Sequence, residues 1–485
     1  MNRNLIIKKL AMSLFMAWGA TEGWATSDGY PKSVLLLNIV TTDSVMPSAT
    51  VVYPPEGCLG VTIQSDYVPG RMTAFLNGDT VYDTGAYQEK ESGMRIKIRG
   101  NSTGAFNEQH PYKIKLSKKA DLMAFGKDYK NKNWALMNYR AWDSAMKNEE
   151  SCLLTLVGLA VCRAMEMPWT PKTRLANLVM NGKYQGLYYL IETVEQGESR
   201  INVDDTGYVI ENDAYWWKEG TTYFKTSYQL PTMGYTFKYP DADEITPEIM
   251  AAIRDDMERT EAAVYTLHGA SDRVDYESFA RWVLIHDILG SSDSAGSNMY
   301  LYKKRMDDGD STKLQMATPW DFDSSFMMPD SAWSNVHRQD VFYYPWLFQD
   351  KEFVKTYKRI YEERKDSICP YVENSLATLK ADYGDAIAQS VSLHREVYPT
   401  QCVNTLDEEI EDVMAHLHVR MEALDTRMEA YDEAADIERI TPVKAVPQRR
   451  IDSSGRDVTG IRENCLPPGL YIEKYADGSV RKVLR

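Results

Sequence analysis

Residues 291–323, SSDSAGSNMYLYKKRMDDGDSTKLQMATPWDFD, contain two short acidic loops that flank a predicted pair of strands, MYLYKK and LQMA. The first loop places Asp293 five residues before Asn298, and the second places Asp321 two residues before Asp323. An aspartate can hold a substrate hydroxyl, and amide and carboxylate oxygens suit Mg²⁺. Loops on either side of one strand pair would bring these groups together, as phosphoryl transfer requires. Because Asp and Asn are also ordinary turn residues, their spacing alone leaves a purely structural role open.

The composition around this stretch is that of a packed globular protein. With 485 residues, the chain exceeds one ordinary hydrophobic core, so its length predicts two or three folding units. Hydrophobic residues make up 44% and charged residues 26%. The net charge of −15 at pH 7 argues against binding of nucleic acid or anionic lipid through bulk charge. Any anionic ligand therefore needs a local site.

The N-terminus has the layout of a secretory signal peptide. Basic residues precede a mostly apolar run at residues 10–20, and small residues around Gly23 and Ala25 follow it. The run of 11 residues is too short to span a bilayer, which takes about 20. We predict that residues 1–25 are removed on export; the alternative is a buried N-terminal helix. After cleavage, no transmembrane segment is expected.

The cysteines and histidines do not have the spacing of a metal site. The six cysteines are scattered, and His416 and His418 would lie on different faces of a helix. Cys152 and Cys162 lie on one predicted helix, about 15 Å apart along its axis, so they cannot bridge each other. One or two disulfides fit an exported chain, but the 15 pairings of six cysteines stay open.

The pattern along the chain predicts an α+β protein. Residues 26–90 contain short β-type runs separated by turn signals, which predict a small antiparallel unit. A hairpin with an Asn-Gly turn and four helical segments follow. These predicted elements are the strands Arg174–Met180 and Lys183–Val194 and the helices Ser144–Met165, Pro247–Leu267, Tyr276–Leu289 and Asp407–Asp436.

Several segments of residues 94–328 occur in the order typical of one family. They are RIKIRGNST, PYKIKL, NWALMNYRAWDSAMKN, NGKYQGLYYLIE, GYVIEND, SSDSAGSNMYLYKK and PWDFD. In this order they resemble the CotH family, the spore coat protein H-like proteins, which have a divergent protein-kinase-like fold. The resemblance implies a two-lobed domain over residues 91–440, with a β-rich N-lobe and a helical C-lobe.

The resemblance also implies catalytic and metal-binding residues. Asp293 matches the aspartate that accepts the proton of the acceptor hydroxyl, and Asn298 matches the asparagine that binds the metal. Asp321 matches the aspartate that holds Mg²⁺ against the phosphates of ATP, with Asp323 as the second choice. ATP and Mg²⁺ are therefore the implied cofactors.

Candidate nucleotide-binding residues lie in the N-terminal half. Lys113 and Lys115 point to one face of a predicted strand, and either could contact the α- and β-phosphates; Lys115 is slightly favoured. Arg99 and the loop that starts at Gly100 would cover the phosphates, although the loop lacks the usual three-glycine spacing. Glu192 ends a hairpin strand and would lie near the adenine or its ribose.

The chain departs from the expected patterns at several positions. No His-Arg pair precedes Asp293, and Asp323 stands where ordinary kinases have glycine. Lys147 occupies a position where the family commonly shows arginine, which binds phosphate or carboxylate in two-point contacts that lysine cannot make. The acidic partner of the phosphate-contacting lysine stays open between Glu149 and Glu150.

The sequence thus predicts an exported atypical kinase that transfers the γ-phosphate of ATP to Ser or Thr of a protein acceptor. Because an exported enzyme meets little ATP, the main alternative is a pseudokinase that binds protein or glycan at the cell surface. Its contacts would be the aromatic segments Tyr215-Trp216-Trp217 and Tyr343-Tyr344-Pro345-Trp346. A third hypothesis is a hydrolase that uses Asp293 and Asp321 as an acid/base pair and needs no nucleotide.

The C-terminal residues 441–485 differ from the rest of the chain. They are basic and then β-like, ending in GLYIEKYADGSVRKVLR. This segment resembles the C-terminal sorting domains of the type IX secretion system; the alternative is a hairpin that packs on the main domain. The resemblance implies attachment to the outer surface, so the expected locations are the periplasm, the medium or the outer cell surface.

Overall fold

The computed structural model describes residues 27–140, 151–291, 294, 296–306, 312–326, 341–435, 449–452, 459, 470–474 and 480–484. Within these ranges the chain is mixed α+β, with a β-rich N-terminal region and a helical C-terminal region, which confirms the predicted fold class at this level. The predicted signal peptide, Lys147, Glu149, Glu150 and Asp293 lie outside the described residues.

The described residues of the N-terminal region form ten strands and two α-helices. The strands are β1 (Leu35–Thr41), β2 (Thr50–Val52), β3 (Thr62–Gln64), β4 (Val68–Leu76), β5 (Asp79–Asp83), β6 (Met94–Ile98), β7 (Tyr112–Ala120), β8 (Asn131–Asn138), β9 (Thr173–Met180) and β10 (Lys183–Glu192). The helices are α1 (Ser102–Phe106), between β6 and β7, and α2 (Leu154–Ala164), before β9. Strands β2 and β3 pair with each other, and the other eight form one sheet in the order β1-β9-β10-β8-β7-β6-β4-β5.

The eight-stranded sheet closes on itself. Strand β1 pairs in parallel with β9 along one edge and antiparallel with β4 along the other, so seven of the strands form a ring. Alternate residues of these strands build a hydrophobic core, which includes Leu37, Ile39, Met72, Ile96, Ile114, Trp134, Leu178 and Leu190. Strands of the predicted N-terminal unit, residues 26–90, therefore share one sheet with strands of the predicted kinase-like domain. The division of the chain into these domains stays a prediction.

A second, smaller sheet lies in the middle of the chain. Its strands are β11 (Tyr208–Asp213), β12 (Tyr223–Phe224), β13 (Gly234–Tyr239), β14 (Met299–Lys303) and β15 (Gln315–Met316), all antiparallel, in the order β12-β13-β11-β14-β15. Strands β14 and β15 are the predicted pair between the two acidic loops, and they do hydrogen-bond to each other. The sheet thus fixes the end of the first candidate loop relative to the start of the second.

The C-terminal region is built from helices α3 (Pro247–Thr266), α4 (Ala270–Arg273), α5 (Tyr276–Leu289), α6 (Tyr344–Leu347), α7 (Lys351–Val397) and α8 (Leu406–Ala435). Helix α5 is apolar on nearly all sides because it packs against α2, α7 and α8. Asp275 caps its first turn by accepting a hydrogen bond from the Ser278 amide, and Gly290, at φ +55°, ends it. The first acidic loop follows directly.

Helix α2 begins later than the sequence predicts. The apolar spacing predicts a helix over Ser144–Met165, whereas the helix in the described residues starts at Leu154. Just before it, the amide of Cys152 donates to Glu409 Oε2 at 2.9 Å, and the carbonyl of Cys152 accepts from the Tyr189 hydroxyl at 2.6 Å. The N–H and C=O groups of Cys152 therefore form hydrogen bonds with distant side chains rather than within a helix.

The C-terminal tail contributes three short strands, β16 (Arg449–Asp452), β17 (Leu470–Lys474) and β18 (Val480–Leu484), which form an antiparallel sheet. The predicted β character of this tail is therefore present where the structure describes it. Among the helices of the described ranges, none combines the length and apolar character needed to cross a membrane.

Candidate active site

The PWDFD segment lies where the end of β6 approaches the end of β15. Asp321 has a left-handed backbone conformation, at φ +66°, and is only partly exposed. Burial raises the pKa of its carboxyl group, and the positive charge of Arg99 acts against this rise. The Arg99 guanidinium also lies 6.0 Å from the centre of the Trp320 ring. The structure therefore brings Arg99 and Asp321, two predicted site residues from distant parts of the chain, close together.

Phe322, between the two aspartates, attaches this segment to α2. Its side chain is buried, and its ring lies against Gly158 in the middle of the helix. A Cβ atom on Gly158 would come within 2.2 Å of the ring, so only glycine permits this approach. Helix α2 consequently sets the position of Asp321 and Asp323 on either side of the ring.

Asn298 ends the first acidic loop and is held by the neighbouring strand. Its backbone has φ +63°, and its backbone N–H donates a hydrogen bond to Glu211 Oε1 on β11 at 2.8 Å. The other oxygen of Glu211 lies 2.8 Å from the Lys238 ammonium on β13. Next to this pair, burial and then the charge of Glu211 raise the pKa of Asp213 to about 7. An acidic cluster thus fixes the turn that carries Asn298.

Lys113 lies on the face of β7 that points away from the ring core. Its ammonium is 4.0 Å from Glu195 Oε1. Burial lowers the pKa of Lys113; Glu195 opposes the shift, and the positive charges of Lys238, Arg99 and Lys97 add to it. Several cations therefore crowd one region, an arrangement that a polyanion such as a triphosphate would relieve.

The two candidate lysines differ in their surroundings. Lys115 lies further along β7, opposite Arg95 of β6, whereas Lys113 lies opposite Lys97. The Lys113 ammonium faces Glu195, and the positive charge of Arg99 helps to lower the pKa of Lys113. Lys113 thus lies beside Glu195 and in the field of Arg99, the cation that also acts on Asp321.

Glu195 is a charged residue beside the candidate site that sequence reasoning missed. It follows β10, and its Oε2 atom accepts hydrogen bonds from Asn133 Nδ2 at 3.1 Å and from Arg200 Nη1 at 3.4 Å. The Arg200 side chain is fully buried, with its guanidinium 5.4 Å from the centre of the Trp134 ring. Glu195 therefore faces Lys113 at ion-pair distance, whereas Glu149 and Glu150, the two acidic partners that the sequence left open, lie outside the described residues. The signal in the sequence is weak, because it consists only of an acidic residue shortly after a strand end.

The carboxylate of Glu192 interacts with other groups of the protein. Its Oε2 atom accepts from the Lys172 amide at 2.8 Å, and its Oε1 atom is 3.7 Å from Arg200 Nε. Burial is the main cause that raises the pKa of Glu192. A cavity of about 610 Å³ adjoins it, lined also by Tyr129 and Trp169. The predicted contact of Glu192 with adenine or ribose stays a prediction.

Gly100 begins a segment that contains a short helix rather than only a loop. Gly100 has φ +92°, and a Cβ atom there would come within 2.4 Å of Thr103 Oγ1, at the start of α1. Asn101 Oδ1 accepts hydrogen bonds from Thr62 Oγ1 at 2.7 Å and from Lys218 Nζ at 3.0 Å. This segment is thereby tied to the turn that follows β11.

Of the two aromatic segments in the surface-binding alternative, residues 215–217 are partly exposed and residues 343–345 are buried. Tyr343 and Tyr344 are fully buried, and the Tyr343 hydroxyl donates to Glu261 Oε1 at 3.0 Å. The indole nitrogens of Trp216 and Trp217 donate to backbone carbonyls, at 3.2 and 3.0 Å. Both segments therefore offer only part of their aromatic surface to a glycan or protein. This packing does not favour the binding-module hypothesis.

The donor chemistry at the site suits Mg²⁺. Asp321, Asp323 and Asn298 supply carboxylate and amide oxygens, the ligands of a hard cation. Among the residues that the structure describes, no group of three or more His, Cys, Asp or Glu side chains is placed to hold a metal ion by itself. A magnesium ion that is bound together with a nucleotide usually takes only one or two carboxylates from the protein, and phosphate oxygens and water complete its shell. The described residues fit that mode of binding.

Comparison of the sequence with known protein families identifies a match to one family. The profile of the family described as CotH kinase protein matches residues 96–424. The match runs from β6 into α8 and contains every site residue discussed above. The chain matches no curated protein.

Proposed function

This chain belongs to the CotH kinase protein family, and on that basis we propose that it is an exported atypical protein kinase. In this proposal, ATP and Mg²⁺ are its cofactors, and Ser or Thr of a protein is its acceptor. Family membership itself indicates a kinase-like function, a nucleotide and a protein substrate. The acceptor residue, the metal and the export are the parts that the proposal adds.

The observation that carries the proposal is the approach of Arg99 to Asp321. A kinase must hold the phosphates with cations on one side and the metal with carboxylates on the other. Here the cations come from the strands of the ring, and Asp321 comes from the segment after β15. We infer that the ring and the helical region act as the two lobes, with the nucleotide between them.

The residues divide into two groups in this proposal. Lys113, held by Glu195, and Arg99 contact the phosphates, whereas Asp321 and Asn298 bind Mg²⁺, with Asp323 as the second choice. When bound, Mg²⁺ supplies positive charge against the phosphate oxygens.

Asp293 is assigned the role of accepting the proton of the acceptor hydroxyl. Asn298, fixed by Glu211, ends the loop that carries this aspartate. The proton therefore passes to Asp293 while Lys113 and Arg99 hold the nucleotide in place.

Nucleotide binding by two matched variants tests the assignment of the lysines. We expect Lys113→Ala to weaken ATP binding about tenfold or more, because it removes a charged contact from a partly buried site. Lys115→Ala removes the same charge from the same strand, and we expect a change of less than about threefold. The measurement is calorimetry of the mature chain with ATP, with and without Mg²⁺, and transfer of the γ-phosphate is followed in the same samples. Equal losses in both variants would contradict the choice of Lys113.

The same titrations of the unaltered chain test the proposed kinase function. Metal-dependent binding and transfer would support the kinase. If the chain bound no ATP in either condition, the proposal would be wrong and the surface-binding module would replace it. Turnover of a substrate without nucleotide would instead favour the hydrolase.

For the location, we propose export through residues 1–25 and outer-surface attachment through residues 441–485. The support is the order of basic, apolar and small residues at the N-terminus and the resemblance of the tail to type IX sorting domains. Deletion of residues 441–485 is expected to abolish surface display, measured by cell fractionation and surface labelling. Display that persisted without the tail would rule out its role in attachment.

A further inference from the structure

Two cysteines from distant parts of the chain meet inside the fold. The Sγ atoms of Cys152 and Cys402 lie 3.5 Å apart, although the residues are separated by 250 positions. Their exposed fractions are 3% and 2%. A disulfide has an S–S bond of about 2.05 Å, so the sulfurs need to approach by only about 1.5 Å, which small side-chain rotations supply. The fold thus selects one pairing that the sequence left open.

The backbone on both sides of this pair is held in place. The amide of Cys152 is bound by Glu409 at the start of α8, and its carbonyl is bound by the Tyr189 hydroxyl. Cys402 follows α7 and has a left-handed backbone, at φ +54°. Both residues belong to a hydrophobic cluster with Tyr139 and Tyr189. The geometry that places the sulfurs together is therefore fixed by contacts independent of the sulfurs.

A cavity next to the pair provides room for the bond to form. Its volume is about 300 Å³, and it is lined by both cysteines together with Tyr139, Ile387 and Arg395. The side chains can therefore turn toward each other without displacing a closely packed neighbour.

We propose that Cys152 and Cys402 form a disulfide bond when the chain folds in an oxidising compartment. The two thiols lose two protons and two electrons as the S–S bond forms. A disulfide oxidant, either a protein disulfide or a small-molecule disulfide, takes up both and is reduced to two thiols. Exchange proceeds through a mixed disulfide: one cysteine thiolate attacks the oxidant, and the second cysteine then displaces the remaining thiol. Because the folded pair is buried, this exchange takes place before the cluster closes around it.

The bond would join Cys152, two residues before α2, to the connection between α7 and α8. Helix α2 carries Gly158, against which Phe322 of the PWDFD segment packs. The crosslink would thus fix the start of the helix that positions Asp321. It would also close a very long loop, which restricts the unfolded chain and raises the midpoint of thermal unfolding.

Peptide mapping of the secreted, unreduced chain tests this proposal. The secreted protein is denatured in the presence of an alkylating reagent, digested without reduction and analysed by mass spectrometry. We expect a linked peptide pair that contains Cys152 and Cys402 and that disappears after treatment with dithiothreitol. Recovery of either cysteine in alkylated form, or linked to a different cysteine, would overturn the proposal.

Two variants and a melting experiment sharpen the result. Cys58→Ser, at a partly exposed loop position, is expected to keep the linked pair, whereas Cys402→Ser should lose it. Reduction should lower the midpoint of thermal unfolding of the unaltered chain by about 5 °C and leave that of Cys402→Ser unchanged. If Cys402→Ser does not fold, the peptide map of the unaltered chain still tests whether Cys152 and Cys402 are linked. None of these measurements depends on kinase activity; the disulfide rests only on the export that the proposed function includes.

Discussion

Asp321→Asn is expected to lower the rate of phosphoryl transfer by about 100- to 1000-fold, the usual cost of removing one electrostatic contact to the reacting groups. The substitution keeps the size of the side chain and removes the negative charge that would hold Mg²⁺. Burial raises the pKa of Asp321, which means that the charged carboxylate by itself costs folding free energy. The variant should therefore melt at the same temperature as the unaltered protein or higher. Loss of activity with stability kept separates a metal-binding role from a structural one.

Asp323→Asn is the matched control for this prediction. It lies on the other side of Phe322 and is the second choice for the metal, so we expect a clearly smaller loss of activity. The measurement is transfer of labelled γ-phosphate at several Mg²⁺ concentrations, together with thermal unfolding. If Asp321→Asn kept full activity, the assignment of the metal site would be wrong. If Asp323→Asn caused the larger loss, the two aspartates would exchange roles.

The largest expected effect on stability comes from Arg420→Met. Arg420 on α8 is 0% exposed, and its Nε and Nη2 atoms both donate to the carbonyl of Asp287 near the end of α5. The Nε distance is 3.2 Å, and the guanidinium also packs against Gly290, which ends α5. Methionine keeps most of the side-chain volume but leaves a buried carbonyl without these donors. We expect the free energy of unfolding to fall by about 3 kcal/mol.

Urea unfolding monitored by tryptophan fluorescence measures this change. His418→Met places the same side chain at an exposed position of α8 and is the control, with an expected change of less than about 0.5 kcal/mol. A change below about 1 kcal/mol for Arg420→Met would show that the buried guanidinium adds little net stability. Because α5 ends where the first acidic loop starts, the variant should also lose activity at temperatures where it remains folded.

Local patterns predicted the elements whose contacts are close in sequence. The Asn181-Gly182 turn, with both residues at positive φ, correctly indicated the hairpin of β9 and β10. The helical spacing of apolar residues likewise located α5. Closure of the ring depends on the parallel pairing of β1 with β9, far apart in the chain, and no local pattern encodes such a contact. The start of α2 was misplaced because distant side chains hold the backbone of Cys152.

The residues of the candidate site also differ in whether local sequence identifies them. Arg99 and Asp321 were accessible from the sequence because each lies in a short motif with a recognisable order. Glu195 and Lys238 were not, because their importance comes from the side chains that the fold places beside them. An acidic or basic residue at a strand end has no distinctive pattern of its own. Only the paired geometry identifies it as part of a site.

Closure of the ring sets a limit on how the chain can be shortened for experiments. The family match begins at residue 96, yet β1 and β4, which complete the ring, lie before that point. A recombinant fragment trimmed to residues 96–424 would lack both strands, leaving the edges of β6 and β9 unpaired and the core around Leu178 open to water. Unpaired edges of this kind join to other chains. Such a fragment would aggregate, and its inactivity would be mistaken for evidence that the protein is not a kinase.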